Sequence, residues 1–395
     1  MTKLFDITGK AISGEWGSDD ENNTGIPVIR TTNFTNEGNI DYSNVVTRSI
    51  KKKNIVNKFL KQGDIIIEKS GGSDDQPVGR VVYFNGQNNK YLFNNFTGLL
   101  RIKDTAKWNP RYVFWVLYAS YKQGKTKLYQ NRTTGLHNLR TDAYVKDLDI
   151  KFLPLEEQKH ISEVLDKIRF QIELKEREIS KLDTLIKARF VEMFGDPGSN
   201  NKEINVKKLG EVCVLNPKKN TESNLFDNLR VSFVPMSSVS EKGDMNLEQT
   251  KLYSEVKKGF TYFSDDDVLF AKITPCMENG KGAIALNLKN RIGFGSTEFH
   301  VLRPIRNISN PYWLYVLTTF TAFRKLAESN MTGSAGQRRV PVKFLENYKV
   351  AVPPIELQNE FASFVQQVDK SKVAIQKSLD ETQNLFDSLM QKYFS

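Results

Sequence analysis

Apolar residues fall on two long, regular stripes. From Ile161 they recur at 161, 165, 168 and 172, then at 179, 182, 186 and 193. Steps of four and three alternate, the heptad spacing of a helix that packs along one seam. A second stripe runs through Phe361, Val365, Val368, Ile375, Leu379, Phe386, Leu389 and Tyr393. Polar residues interrupt the stripes at Lys175, Arg189, Lys372 and Thr382. The first helix is expected to stop at Gly195-Asp196-Pro197-Gly198, which makes a linker. Pro154 and Pro354 mark the helix starts, and Glu156, Glu157 and Glu356 suit the N-terminal dipole. A helix from Gln158 to Phe194 measures about 55 Å at 1.5 Å per residue. Such helices bury little alone, so the two are expected to pack antiparallel on each other as a coiled coil.

The stripes belong to a pattern written twice. Leu153-Pro-Leu-Glu-Glu-Gln158 recurs as Pro353-Pro-Ile-Glu-Leu-Gln358, an offset of 200 residues. The same offset aligns Ile161 with Phe361, Val164 with Phe364, Ile186 with Phe386 and Phe194 with Phe394. Upstream the match continues with small shifts. Lys3-Leu4 resembles Lys208-Leu209, and Gly63-Asp64-Ile-Ile-Ile67 resembles Asp266-Asp267-Val-Leu-Phe270. Asn109-Pro110 and Asn310-Pro311 each precede an aromatic run, and Thr134-Gly135 resembles Thr332-Gly333. Ordered landmarks before a long ungapped match argue for duplication over convergent helix patterning. The predicted organisation is a domain at 1–152, a long helix and linker at 153–200, a second domain at 201–350 and a C-terminal long helix at 351–395.

Each domain segment reads as short strands, turns and one or two helices. Asp64–Glu68 and Gly79–Phe84 look like strands around a Gly-rich loop at 69–77; Asp267–Ala271 and Gly282–Leu286 flank the counterpart at 272–281. Helices are expected at about Pro110–Tyr121 and Pro311–Glu328, followed by polar loops at 130–140 and 330–339. These loops hold side-chain types able to read base edges, with Arg suited to guanine, Asn or Gln to adenine, and Ser or Thr to several acceptors, although one polar, Gly-rich loop alone would read as a solvated turn. The candidate DNA-binding residues of the first copy are Lys69, Ser70, Ser73, Gln76, Arg80, Asn131, Arg132, Thr133, Thr134, His137, Asn138 and Arg140. Those of the second are Lys272, Thr274, Asn279, Lys281, Thr332, Ser334, Gln337, Arg338 and Arg339.

Charge sharpens this reading. Among 395 residues, 57 Lys and Arg face 46 Asp and Glu, a net charge of +11 that favours a polyanionic partner. Two cysteines, Cys213 and Cys276, make neither a disulfide framework nor a Cys-rich zinc site. The N-terminus lacks the apolar stretch of a signal peptide, and the longest apolar run, Tyr112–Ala119, falls far short of the ~20 residues of a membrane span. A cytoplasmic protein is expected. Asn109-Pro-Arg-Tyr112 and Asn310-Pro-Tyr-Trp313 lack the second proline of an adenine-methyltransferase loop and read better as helix caps. Gly124-Lys125-Thr126 lacks the first glycine of a phosphate loop, because Ala119 stands there. His137, His160 and His300 have no metal-like spacing. No catalytic residues, metal or cofactor are expected on the chain.

With two loop-bearing domains, each followed by a Pro-x-Glu-x-Gln helix, the whole chain resembles the specificity subunits of type I restriction–modification systems. The segment Leu185-Ile-Lys-Ala-Arg-Phe-Val-Glu-Met-Phe-Gly195 also looks like that family's central helix. The resemblance implies an α+β fold: two similar α/β target-recognition domains separated by an antiparallel two-helix coiled coil, in a pseudo-two-fold tandem repeat. It implies a non-catalytic subunit in which each domain reads one half of a bipartite site in double-stranded DNA. It further implies two modification (methyltransferase) subunits gripping the helices, with restriction (motor/nuclease) subunits bound outside them. S-adenosylmethionine would sit on the methyltransferase partner. The helix starts, at Gln158, Ile161, Leu165, Gln358, Phe361 and Val365, are the expected partner-binding positions. The rival from the residues alone is a coiled-coil scaffold without DNA readout. An RNA-binding module would prefer aromatic platforms on a sheet, whereas Phe114-Trp115 and Tyr312-Trp313 look like helix core.

Overall fold

A computed structural model of the chain describes residues 1–22, 24–52, 54–133, 136–197, 206–219, 226–334 and 336–395. The chain packs as two compact units, one of Met1–Leu174 with Leu379–Ser395 and one of Lys175–Ser378. The sequence pattern changes near 152, 200 and 350, but the packing boundary falls inside the two long helices, Leu155–Phe194 and Ile355–Phe394. Each unit therefore contains half of each helix.

In the first unit a four-stranded antiparallel sheet runs in the order Ile12–Ser13, Thr97–Leu100, Ile65–Glu68, Val81–Tyr83. Ile65, Ile66 and Ile67 are all fully buried. Ile65 and Ile67 join the core that holds Tyr112, Val113 and Trp115, while Ile66 joins Val82, Phe84, Phe93 and Leu99 on the other face. A strand covered on both faces needs an unbroken apolar run, which is what the sequence shows. The second unit repeats the sheet as Cys213–Leu215, Phe299–Pro304, Val268–Ala271, Gly282–Ile284. Val268 and Phe270 enter its helix-side core, and Leu269 and Ala271 the opposite one.

A further four-stranded sheet lies in each unit. In the first its order is Ser18–Asp19, Val46–Ser49, Ile26–Ile29, Leu92–Phe93, and in the second Thr250–Leu252, Arg230–Val234, Ile292–Gly295, Thr261–Ser264. Both place one parallel pairing beside an antiparallel one, and they differ in which edge receives the fourth strand.

The duplication reaches individual side chains. Arg101 donates Nε and Nη2 to the two oxygens of buried Asp64 at 2.7 and 2.6 Å, and Arg303 grips buried Asp267 the same way at 2.7 and 2.7 Å. Gly38 (φ 85°) and Gly243 (φ 97°) occupy equivalent turns. A side chain there would strike the Phe114 ring or the Tyr315 hydroxyl, so both positions need glycine for space as well as for backbone angle.

Helix Pro110–Lys122 is capped by Asn109, whose side chain accepts from the Tyr112 amide; Asn310 caps helix Pro311–Thr319 through Tyr312. Both Asn-Pro pairs are thus committed to helix starts. The single helix expected to Glu328 is instead two, Pro311–Thr319 and Thr321–Ser329, separated by extended Phe320. The Thr318 and Thr319 hydroxyls bond back to the carbonyls of Tyr315 and Val316, which loosens the helix end.

The recurring glutamine of the Pro-x-x-x-Gln motif ties these helices together. Gln158 is fully buried; its Oε1 accepts from the Asn109 amide, and its Nε2 donates to the carbonyls of Lys107 and Leu153. Gln358 makes the same three bonds, to Asn310, Ile308 and Pro353. The glutamine thus locks the start of each long helix to the loop before each Asn-capped helix.

In the first unit Ile161, Leu165 and Ile172 share a core with Phe386 and Met390. In the second, Phe361, Val365 and Val368 share one with Ile186, Phe190 and Phe194. Early residues of one helix meet late residues of the other in both units, so the helices pair antiparallel. The polar interruptions are satisfied: Lys175 Nζ donates to the Ser378 carbonyl at 3.1 Å, Lys372 pairs with Asp183 at 2.7 Å, and Arg189 with Glu360 at 3.1 Å. The packing also corrects one expectation. Gln158, Ile161, Leu165, Gln358, Phe361 and Val365 are all interior, so none offers its side chain to another subunit. Apolar side chains exposed on the long helices include Phe170, Leu185, Val373 and Leu385.

Candidate nucleic-acid interface

Two polar segments some 60 residues apart in sequence meet in each unit. In the first, Ser70–Gly72 forms the edge of a three-stranded sheet with the hairpin Leu136–Leu139 and Gln130–Thr133. The sequence showed a loop here because this hairpin has no apolar alternation; its partner strand fixes it instead. The Leu139 amide donates to the Lys69 carbonyl at 2.8 Å, and the Lys69 amide to the Phe96 carbonyl at 2.8 Å. In the second unit the Val340 amide donates to the Lys272 carbonyl at 2.9 Å, and the Lys272 amide to the Glu298 carbonyl at 2.9 Å. Thr274 N also donates to the Arg338 carbonyl, and Thr332 pairs with Arg339. Both copies thus join their two candidate loops through the same backbone connection at the end of the central sheet.

Ser73, Gln76, Asn131 and Arg140 are exposed in the first cluster, and Asn279, Thr332, Ser334 and Gln337 in the second. Several candidates are held by internal bonds. Lys69 is half-buried, with Nζ donating to Ser13 Oγ at 3.0 Å, and burial pulls its ammonium below the ordinary lysine value. His137 is buried against Gln130 Oε1 at 3.1 Å. Arg140 donates to the Leu128 carbonyl, Thr274 Oγ1 to Glu278 Oε1, and Lys281 Nζ to the Met236 carbonyl. Ser70 and Asn138 sit opposite one another across the sheet. Thr134 lies outside the described residues, as do the side chains of Arg132 and Thr133.

Arg80 is a correction. Its guanidinium clasps buried Glu68 through Nε and Nη2, both at 2.9 Å, and donates to the Thr31 carbonyl. Withdrawing it would strand a buried carboxylate, so it braces the loop base rather than facing a ligand. Arg339 is similarly forked onto Glu298 but is 42% exposed, and the arginine holds the Glu298 carboxyl below its ordinary range. Arg338 is held more loosely, with Nη2 at 3.8 Å from Glu278 and 4.0 Å from Glu328.

Two residues that shape the second cluster were not evident from sequence. Buried Arg324 donates Nε to the Thr318 carbonyl at 2.6 Å, Nη1 to Met277 at 2.9 Å and Nη2 to Gly280 at 3.2 Å, and it lies over the Phe270 ring. It pins the 272–281 loop to the helices behind it. His300 contacts the Val340 carbonyl through Nε2 at 2.8 Å and Asn216 through Nδ1. Burial lowers the His300 pKa, so the unfolded chain binds its proton more readily than the native one. Its stabilising share is therefore full above about pH 6.5 and declines as pH falls below that value. Thermal melts from pH 8 to 5 should show the loss in wild type and a flatter profile in His300→Gln; parallel profiles would exclude the role.

A family model described as the type I restriction modification DNA specificity domain matches residues 2–184 and again residues 201–382. The chain belongs to this family. It is 40% identical over 187 residues to the type I restriction enzyme EcoAI specificity subunit of Escherichia coli, and 38% over 187 residues to its EcoEI counterpart. Each of those matches covers 46% of this chain and only 31% of the E. coli protein. The putative type I restriction enzyme MjaX specificity subunit of Methanocaldococcus jannaschii is 22% identical over 98% of this chain and 92% of its own length. Among solved structures, the type I restriction-modification S subunit from M. genitalium aligns with all of this chain and 95% of itself at 14% identity and a TM-score of 0.55. A chain from a study of complex assembly and conformational transition in the type I R-M system aligns with all of it and 96% of itself at 16% identity and a TM-score of 0.52. At those identities the two structures support the fold.

Proposed function

We propose that the chain reads a bipartite site in double-stranded DNA, one half through each loop cluster, as the specificity component of a type I restriction–modification enzyme. The observation that carries this is the repeated junction, Leu139 to Lys69 to Phe96 and Val340 to Lys272 to Glu298, which sets two unlike polar surfaces on one scaffold. Because their exposed residues differ, the two half-sites should differ in sequence. The chain contributes recognition and no covalent step; S-adenosylmethionine belongs to modification subunits, two of which would dock on the exposed helix faces around Phe170, Leu185, Val373 and Leu385. Restriction subunits would join outside them, in the cytoplasm where the DNA lies.

Selection of the full chain from a random duplex library should yield two separated blocks of preferred bases. Replacing Met1–Phe152 with another recognition domain should alter one block alone. Affinity should fall steeply with salt, with a log–log slope of about −0.9 per phosphate neutralised. Salt-independent binding, or no enriched motif, would instead favour a scaffold without DNA readout.

A further inference from the structure

The shared junction permits a residue-by-residue comparison of the two recognition surfaces that sequence alignment does not. Lys69 and Lys272 are equivalent because each amide donates to the residue before the returning strand, Phe96 in one unit and Glu298 in the other. Leu139 and Val340 are equivalent because each amide donates to that lysine's carbonyl. Asn138 therefore corresponds to Arg339, and Phe96 to Glu298.

In the second unit the two side chains at these places meet. Glu298 reaches across to the 330–339 loop and accepts from Arg339 Nε and Nη2. A side chain at the Glu298 position is thus directed at the loop cluster. In the first unit the same backbone position carries Phe96, which is 50% exposed. Its carbonyl is fixed by two amides, Lys69 at 2.8 Å and Ser70 at 3.2 Å, so the ring is presented from a rigid point. A half-exposed aromatic in a polar cluster gains nothing from water and has no hydrogen bond to offer. It suits the one apolar feature of a base edge in the major groove, the thymine C5-methyl.

We propose that Phe96 reads a thymine in the half-site of the first unit, its ring against the C5-methyl, where the second unit places the Arg339–Glu298 fork. The inference rests on the DNA-reading function proposed above. It assigns thymine preference at one base pair to one residue.

The test uses the full chain and the duplex it selects from a random library, remade with deoxyuridine at each thymine in turn. Deoxyuridine pairs like thymine and lacks only the methyl. Wild type should lose about fourfold in affinity at one thymine of one block, the worth of one buried methyl group. Phe96→Ala should bind the thymine and deoxyuridine duplexes equally, and Phe96→Leu should keep part of the difference. Phe96 is exposed, so these variants should fold as wild type, which a thermal melt checks. Wild type indifferent to every deoxyuridine, or Phe96→Ala retaining the full penalty, would overturn the assignment while leaving the DNA reading intact. A wild-type chain that enriches no motif would instead overturn the DNA reading itself.

Discussion

Arg324→Met is expected to lower the stability of the second unit by roughly 4 kcal/mol, because three interior carbonyls lose a charged donor at once. Burial draws the Arg324 guanidinium down to about 10, so it stays charged at neutral pH and its bonds to Thr318, Met277 and Gly280 are charge-assisted. Methionine fills similar volume and keeps contact with Phe270, so the loss reports the hydrogen bonds rather than a cavity. Arg324→Lys retains the charge but not the fork, and should fall between the two. Chemical denaturation measures the stability; base preferences selected from a random duplex library measure the rest. The block read by the second unit should relax while the other stays unchanged. A variant as stable as wild type would show that the carbonyls find other donors.

Gln158→Leu and Gln358→Leu should each cost about 3 kcal/mol in the unit that holds them. Each leaves one amide and two carbonyls without partners in a dry setting, at about 1 kcal/mol or more apiece. The shape changes little, so packing accounts for only a minor share. The two effects should be nearly additive, since Gln158 and Gln358 lie in different units. Two denaturation transitions, each moved by its own substitution, would bear this out. A loss well below 1 kcal/mol would mean that water replaces the side chain.

The helices and the doubled plan were legible because helix periodicity admits no insertions: the offset of 200 residues holds from Gln158 to Phe394. In the recognition domains the offset drifts to 203 at Asp64 and Asp267 and to 205 at Gly38 and Gly243. Surface connections tolerate such insertions, which hide a repeat that backbone hydrogen bonds restore. The central strands could be read from their unbroken apolar runs. The small sheet under the first loop cluster could not, because its apolar residues are few and do not alternate; among the described side chains Leu139 alone enters the core. The repeated motif Pro-x-x-x-Gln was visible, but its purpose was misjudged. The resemblance led these helix starts to be expected at a partner, whereas Gln158 and Gln358 satisfy backbone groups inside. Arg80 and Arg324 show the same difficulty from the opposite side. Sequence shows that a cation is present but not that a buried Glu68 or a ring of carbonyls already holds it.

The last 17 residues, Leu379–Ser395, belong to the unit that begins at Met1, and Phe386 and Met390 lie within its core. A growing polypeptide therefore cannot finish its N-terminal half when that half leaves the ribosome. Trp115, whose ring meets Phe386 edge to face, and Ile161 on the first long helix lack that part of their cover until the entire second unit has been synthesised.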